Sequence, residues 1–301
     1  MKKVFGAVVA AAMLAGCQAR PVFSQQDIDR AELGKGLGAG FLLGTATAAH
    51  QVEGGQDNNW TEWERTPLPD GSHRIHDGSV SGIADDMWNR FESDVTLMKR
   101  LGTNSYRLSV EWSRLEPQEG VWNDEAANRY LSWMQTLRAN GIIPMVTLYH
   151  WTLPKWVAAQ GGWENDKTIA DFAAFSGRVA AKLGAHVDLW CTLNEPNVYM
   201  TQSYIKAVHP PGKADQKLAA EVLNRLMEAH AKSVKAVRDN DTTDADGDGK
   251  ATQVGIAHHL RVFQPSSSSM MDSMIAGLTD DFFNESFITA HRTGRVELHI
   301  P

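Results

Sequence analysis

From Phe41 onward the apolar positions of the chain switch between two periods. Short, nearly continuous apolar runs at 41–48, 105–111, 142–148, 187–193 and 254–260 are predicted strands, because runs of this length bounded by turn residues suit strands buried on both faces. Between them the spacing becomes helical. Met87, Phe91, Val95 and Met98 recur every three or four residues up to Gly102, and Ile169, Phe172, Phe175, Val179 and Leu183 do the same up to Gly184. A third helix is predicted over 124–140, stopped by Asn140-Gly141, and a fourth over 217–237 with Val222, Leu226, His230 and Val234 on one face. Strand and helix in alternation predict a parallel α/β architecture.

The strand starts average about 53 residues apart, so a closed (β/α)8 TIM barrel would need three more units, on the order of 160 residues. The expected fold is therefore an incomplete (β/α)8 barrel with about five of eight βα units. A five-stranded open parallel sheet is the alternative, and both of its edges would need covering. The predicted division is a signal at 1–16, a linker at 17–40 and the barrel at 41–301.

The first residues carry Lys2 and Lys3 and then an apolar run from Val4 to Leu14, too short to span a bilayer, which is the build of an export signal. It closes on Leu14-Ala15-Gly16-Cys17, which resembles the lipobox of bacterial lipoproteins, where the cysteine becomes the lipidated N-terminus. The expectation is an exported chain tethered to the cell envelope through lipid on Cys17, at the outer membrane if the host is Gram-negative, since Gln18 and not Asp follows. Cys191 is the only other cysteine, so lipidation of Cys17 would leave it an unpaired thiol inside an apolar strand. The net charge of −7 becomes −9 when Lys2 and Lys3 are subtracted, and no basic cluster exists. Nucleic acid is therefore not an expected partner, and contact with a membrane is expected only through the lipid.

Two segments read as loops, 239–250 and the serine-rich 265–270. In the first, Asp244, Asp246, Asp248 and Gly249 match the opening of a calcium loop, but the twelfth position, where a bidentate Glu is needed, is Gly255. A solvated acidic turn is the expectation.

The candidate chemistry sits at predicted strand ends. Asn194-Glu195 follows the fourth strand, and the C-terminal rim of a parallel barrel is where side chains from several strands converge. Pro196 is expected to stop the strand and to hold Glu195 extended, aimed at the pocket mouth. A glycosidase needs one carboxylic acid to protonate the leaving oxygen and a second carboxylate opposite it, and Glu195 suits the first role. Tryptophans 60, 63, 122 and 151 are candidate walls for a saccharide, whose C–H faces stack on indole.

The runs FLLGTATAAHQVEG at 41–54, YRLSVEWSRLEP at 106–117, TLYHWTLPKW at 147–156 and TLNEP at 192–196 together resemble the successive rim motifs of family 1 glycoside hydrolases, retaining β-glycosidases and most often β-glucosidases. The resemblance covers the N-terminal part of that family's barrel. It implies that Glu195 is the general acid/base, that Asn194 holds the sugar 2-hydroxyl, that Gln51 and His150 bind hydroxyls of the non-reducing sugar beside Trp151, and that Arg107 supports the nucleophile. Thr152 stands where the family usually has Asp, which is expected to affect loop packing. The nucleophile of the family is the Glu of an ENG-type motif after the seventh strand, and none occurs between Glu195 and Pro301. Glu111 and Glu116 match neither role. The implied substrate is a β-linked glucoside or oligosaccharide. No cofactor or metal is implied, because the two-carboxylate mechanism needs only water. If the chain ends at Pro301 it lacks its nucleophile, and a degenerate protein that binds sugar without turnover is the alternative.

Overall fold

The computed structural model describes residue 38 and residues 40–293. The expected signal, Cys17 and nearly all of the linker lie outside the described residues. The chain divides into a unit spanning Met1–Leu42 and a second spanning Leu43–Pro301. Within the first, the Phe41 N–H closes a turn onto the Gly38 carbonyl at 3.0 Å.

The second unit is built on one parallel sheet. Its strands are β1 (Gly44–Ala46), β2 (Ser105–Ser109), β3 (Ile143–Tyr149), β4 (Leu189–Asn194) and β5 (Gln253–Ala257), hydrogen-bonded in sequence order. The order decides between the two expected folds. A doubly wound sheet reverses its strand order at a switch point, whereas a barrel sheet runs in one direction, as here. The register pairs Ala46 with Arg107, Arg107 with Met145 and Met145 with Leu189, and it puts Asn194 beside Ala257 after an irregularity between Cys191 and Asn194. The five C-terminal strand ends thus share one rim.

Four long helices follow β1 to β4: α1 (Met87–Leu101), α2 (Asp124–Ala139), α3 (Lys167–Leu183) and α4 (Gln216–Asn240). The stripes predicted for α1 and α3 are buried throughout, and on α4 Val222, Leu226 and His230 are buried while Val234 is half-buried. The Asn123 side chain caps α2 by accepting from Ala126 N–H at 3.1 Å, and Asp215 caps α4 through Leu218 N–H at 3.0 Å. Gly102 ends α1 in the left-handed region at φ 77°, which costs a glycine nothing. Gly184 works differently. Its backbone stays right-handed, and a Cβ there would fall 2.5 Å from the Asp241 carboxylate, so the position is small because two chain segments approach closely.

Most of the indole surface is core. Phe91 stacks on Trp133 with ring centres 4.4 Å apart, and Trp112 stacks on Phe175 at 5.0 Å. Buried Asp188 accepts from Arg138 Nη2 at 2.6 Å and from Ala245 N–H at 2.7 Å, pinning the start of the acidic turn to the foot of β4. Asp244 and Asp246 are exposed as expected, with one oxygen each within 4.8 Å of one another and of Asp188. Past β5 come α5 (Met270–Asp280) and α6 (Ser286–Thr293). Ser269 caps α5 through Asp272 N–H, and Met270, Met271, Met274 and Ile275 on that helix are at least half exposed. Among the described residues no helix is long and apolar enough to cross a membrane.

Candidate active site

Glu195 follows directly on β4, its N–H donating to the Ala257 carbonyl at 2.7 Å. Its backbone is not extended as the following proline led us to expect: φ is 46° and ψ 59°, in the left-handed region. The chain must turn at once from strand into the short helix Pro196–Met200, where Pro196 occupies the first helical position and Glu195 the cap. The right-handed region is disfavoured for a residue before proline, and here the left-handed turn carries the carboxyl over the rim.

Asn194, almost fully buried, is gripped at both ends. Its Oδ1 accepts from Arg107 Nη1 at 3.0 Å, and its main-chain carbonyl accepts from Trp151 Nε1 at 2.9 Å. Arginine can only donate, so the amide oxygen faces it and the Nδ2 end is turned away as a donor.

Gln51 lies on the short helix Ala49–Val52 after β1, and His150 and Trp151 follow β3. These three line one cleft of about 410 Å³ together with Trp60, Glu64 and His209. Burial and the nearby Arg107 push the His150 imidazole down to about 4, so the ring is neutral near neutral pH. Its Nδ1 is buried with no partner among the described residues. Trp151, at φ 75°, presents its carbonyl to Trp60 Nε1 at 3.1 Å, which ties the β3 loop to the helix Asn59–Arg65. His209 meets Trp60 edge-on with ring centres 4.8 Å apart. Glu64 accepts from Ser81 Oγ at 2.8 Å and sits 3.6 Å from His50 Nε2.

Of the four candidate tryptophans, Trp60 and Trp151 reach the cleft. Trp63 does not; it is buried beneath the Arg74 guanidinium, 3.9 Å away, and borders a separate cavity of about 290 Å³. Trp122 packs against Phe175 and Arg178 among the helices. Alternating spacing along a sequence does not say which side of a loop an indole takes.

The other rim carboxyls are occupied. Glu111 is buried and accepts from Ser113 Oγ at 2.7 Å, Thr152 Oγ1 at 3.0 Å and Asn58 Nδ2 at 3.4 Å. Glu116 accepts from Trp112 Nε1 at 2.9 Å and Gly120 N–H at 3.0 Å. Thr152 therefore serves loop packing through Glu111, as expected of that departure. Buried Glu53 accepts from Tyr130 and Gln56 and pairs with Arg114 at 3.2 Å, and burial pushes it up to about 7 against the pull of Arg114.

The sequence reading passed over His259, which touches Glu195, and Arg261, which touches His259. His259 Nδ1 lies 3.1 Å from Glu195 Oε1, and Arg261 Nε donates to His259 Nε2 at 3.0 Å. The signal was present in the pairing of successive strands: β5 stops at Ala257, not at 260, so His258 and His259 emerge on the rim beside Asn194 and Glu195.

A parallel sheet in sequential order, with an Asn-Glu pair on the fourth rim and an amide and an imidazole on the first and third, defines a (β/α)8-type protein with its site at the C-terminal rim. The model of glycosyl hydrolase family 1 matches residues 34–297, and the chain belongs to that family. It is 35% identical over 246 residues to β-glucosidase A of Acetivibrio thermocellus, covering 79% of this chain and 52% of the relative. It is 34% identical over 256 residues to the 6-phospho-β-glucosidase GmuD of Bacillus subtilis, covering 82% and 52%. Among solved structures, the family 1 β-glucosidase of Thermotoga maritima in complex with isofagomine lactam superposes with a TM-score of 0.79 at 30% identity, over 86% of this chain and 58% of that one. The chain spans about half the length of the relatives it matches.

Proposed function

We propose that this chain carries the acid/base part of a retaining β-glycosidase acting on β-linked glucosides. Glu195 protonates the leaving glycosidic oxygen and then, as the carboxylate, takes a proton from the incoming water. Asn194 donates Nδ2 to the sugar 2-hydroxyl, while Gln51 and neutral His150 hold other hydroxyls against the wall formed by Trp151. Arg107 orients Asn194 and, in this reading, also faces a nucleophilic Glu that the family carries after its seventh strand. The observation that carries the proposal is Asn194-Glu195 at the end of β4 with Asn194 Oδ1 fixed by Arg107.

Unphosphorylated glucosides are the proposed substrates. No Lys or Arg is among the described residues lining the 410 Å³ cleft, and a phosphate calls for cationic donors there. Export, with lipid attachment at Cys17, is proposed on the basic-then-apolar start of the chain and fits the same substrates. One observation favours a second reading, sugar binding without hydrolysis: the carboxylates of Glu111 and Glu116 are both engaged by donors and so are poor substitutes for a nucleophile.

The test is turnover of an aryl β-glucoside by the purified chain, beside Glu195→Ala. Turnover that disappears in the variant supports the glycosidase. A folded, inert chain that still binds a glucose-configured inhibitor supports the second reading.

A further inference from the structure

We propose that His259 is a positioning residue for Glu195, an inference that rests on the acid/base role given above: it donates a hydrogen bond to Oε1 and is locked into the donating tautomer by Arg261. Arg261 Nε–H reaches His259 Nε2 at 3.0 Å. An arginine has no acceptor, so Nε2 is the bare nitrogen of the neutral ring and the proton resides on Nδ1. That proton points at Glu195 Oε1, 3.1 Å away. The transferable proton of the carboxyl is thereby assigned to Oε2, the oxygen that His259 does not engage. Once the proton has left, the new charge meets an N–H already in place, without rearrangement of the site.

The supports of this chain of contacts are themselves fixed. Asn197 Nδ2 donates to the carbonyls of His259 and Phe283 at 2.8 and 2.9 Å, and Phe283 meets the His259 ring edge-on at 5.7 Å. Asn284 clamps the backbone of Arg261 from both sides, accepting from its N–H at 3.0 Å and donating to its carbonyl at 2.6 Å. The Arg261 guanidinium lies 5.2 Å from the centre of the Phe283 ring. Phe283 and Asn284, on the π-helical segment Asp281–Glu285 that joins α5 to α6, thus hold both members of the pair against β4, which gives that segment a task at the site.

The experiment is 15N NMR of the full chain labelled at histidine, with His259 assigned from His259→Asn, followed by kinetics on a series of aryl β-glucosides. The wild-type ring is expected in the Nδ1-protonated tautomer, moving toward the Nε2-protonated one in Arg261→Met, which leaves His259 itself untouched. His259→Leu is expected to slow substrates with poor leaving groups by about tenfold or more while sparing those with good ones, which need no acid. His259→Asn, which returns an N–H near the position of Nδ1, restores the former. An Nε2-protonated wild-type ring, or an equal loss across the leaving-group series, overturns the inference. Because the tautomer is read in the resting protein, an inert wild type with the Nδ1-protonated ring would count against hydrolysis and not against the link from His259 to Glu195.

Discussion

Arg107 on β2 and Asn194 on β4 are hydrogen-bonded at 3.0 Å across an intervening strand. In a closed parallel barrel the interior is filled in layers, each contributed by alternate strands, so residues of β2 and β4 belong to one layer while those of β3 belong to the next. The contact is a sign of curvature that the strand order alone does not give. It also means that the amide proposed to read the sugar is oriented from inside the barrel.

Replacing Arg107 by Met should therefore release Asn194 from its fixed orientation. The expected result is a loss of about 1.5–3 kcal/mol in urea unfolding, the usual worth of a hydrogen bond to a charged group. Binding of a glucose-configured inhibitor, followed by calorimetry, should weaken with it, whereas unchanged binding would mean that Asn194 is held by Trp151 alone.

Glu53→Ala removes the common acceptor of Tyr130, Gln56 and Arg114 inside the core. Arg114 is only partly buried and keeps the Gly54 carbonyl as acceptor at 2.7 Å, so the cost is that of the buried Tyr130 hydroxyl left without its acceptor, about 1–3 kcal/mol. Chemical denaturation should show the midpoint falling accordingly, and a shift within 0–1 kcal/mol, the range of surface ion pairs, would contradict the burial of this cluster.

His150 makes a signed prediction for pH. Its folded value, about 4, lies below the ordinary 6.5, so the folded state resists the proton that the unfolded chain accepts. The stability it contributes is complete above pH 6.5 and is lost as pH falls from 6.5 toward 4. His230, pushed down to about 3 by burial and by the neighbouring His291, acts in the same direction over a wider window. Thermal melts of His150→Gln compared with wild type should diverge between pH 6.5 and 4 and run parallel above it; a constant offset throughout would sink this account.

Cys191 is buried in β4, and burial raises its thiol above the ordinary range. In a Cys17→Ser background a water-soluble disulfide reagent should leave the native protein unlabelled and modify one thiol in denaturant. Rapid native labelling would mean that β4 opens to solvent.

Much of this was written in the sequence because burial on both faces leaves a simple trace. β3 and β4 are nearly unbroken apolar runs, and Met87, Phe91, Val95 and Met98 keep one helical face, so these elements fell within a few residues of their predicted bounds. β1 was less legible: its run from Phe41 to Ala48 is apolar, but only Gly44–Ala46 pairs with β2, and Phe41 belongs to the preceding unit. Gln51, His150, Trp151, Asn194 and Glu195 were nominated through motifs, and the structure places them on the rim. His259 and Arg261 were not, because their importance comes from the register of β5 against β4 and from Asn284, far along the chain. Two-dimensional neighbours on a rim have no fixed sequence separation.

The left-handed backbone at Glu195 sets stability against chemistry at a single position. A side chain with a Cβ bears about 1–2 kcal/mol of strain in that region, which a glycine would relieve. Glu195→Gly should then fold more stably than Glu195→Ala while carrying no acid at all. Backbone ease and a carboxyl at the rim therefore compete at this one position, and the chain as it stands keeps the carboxyl.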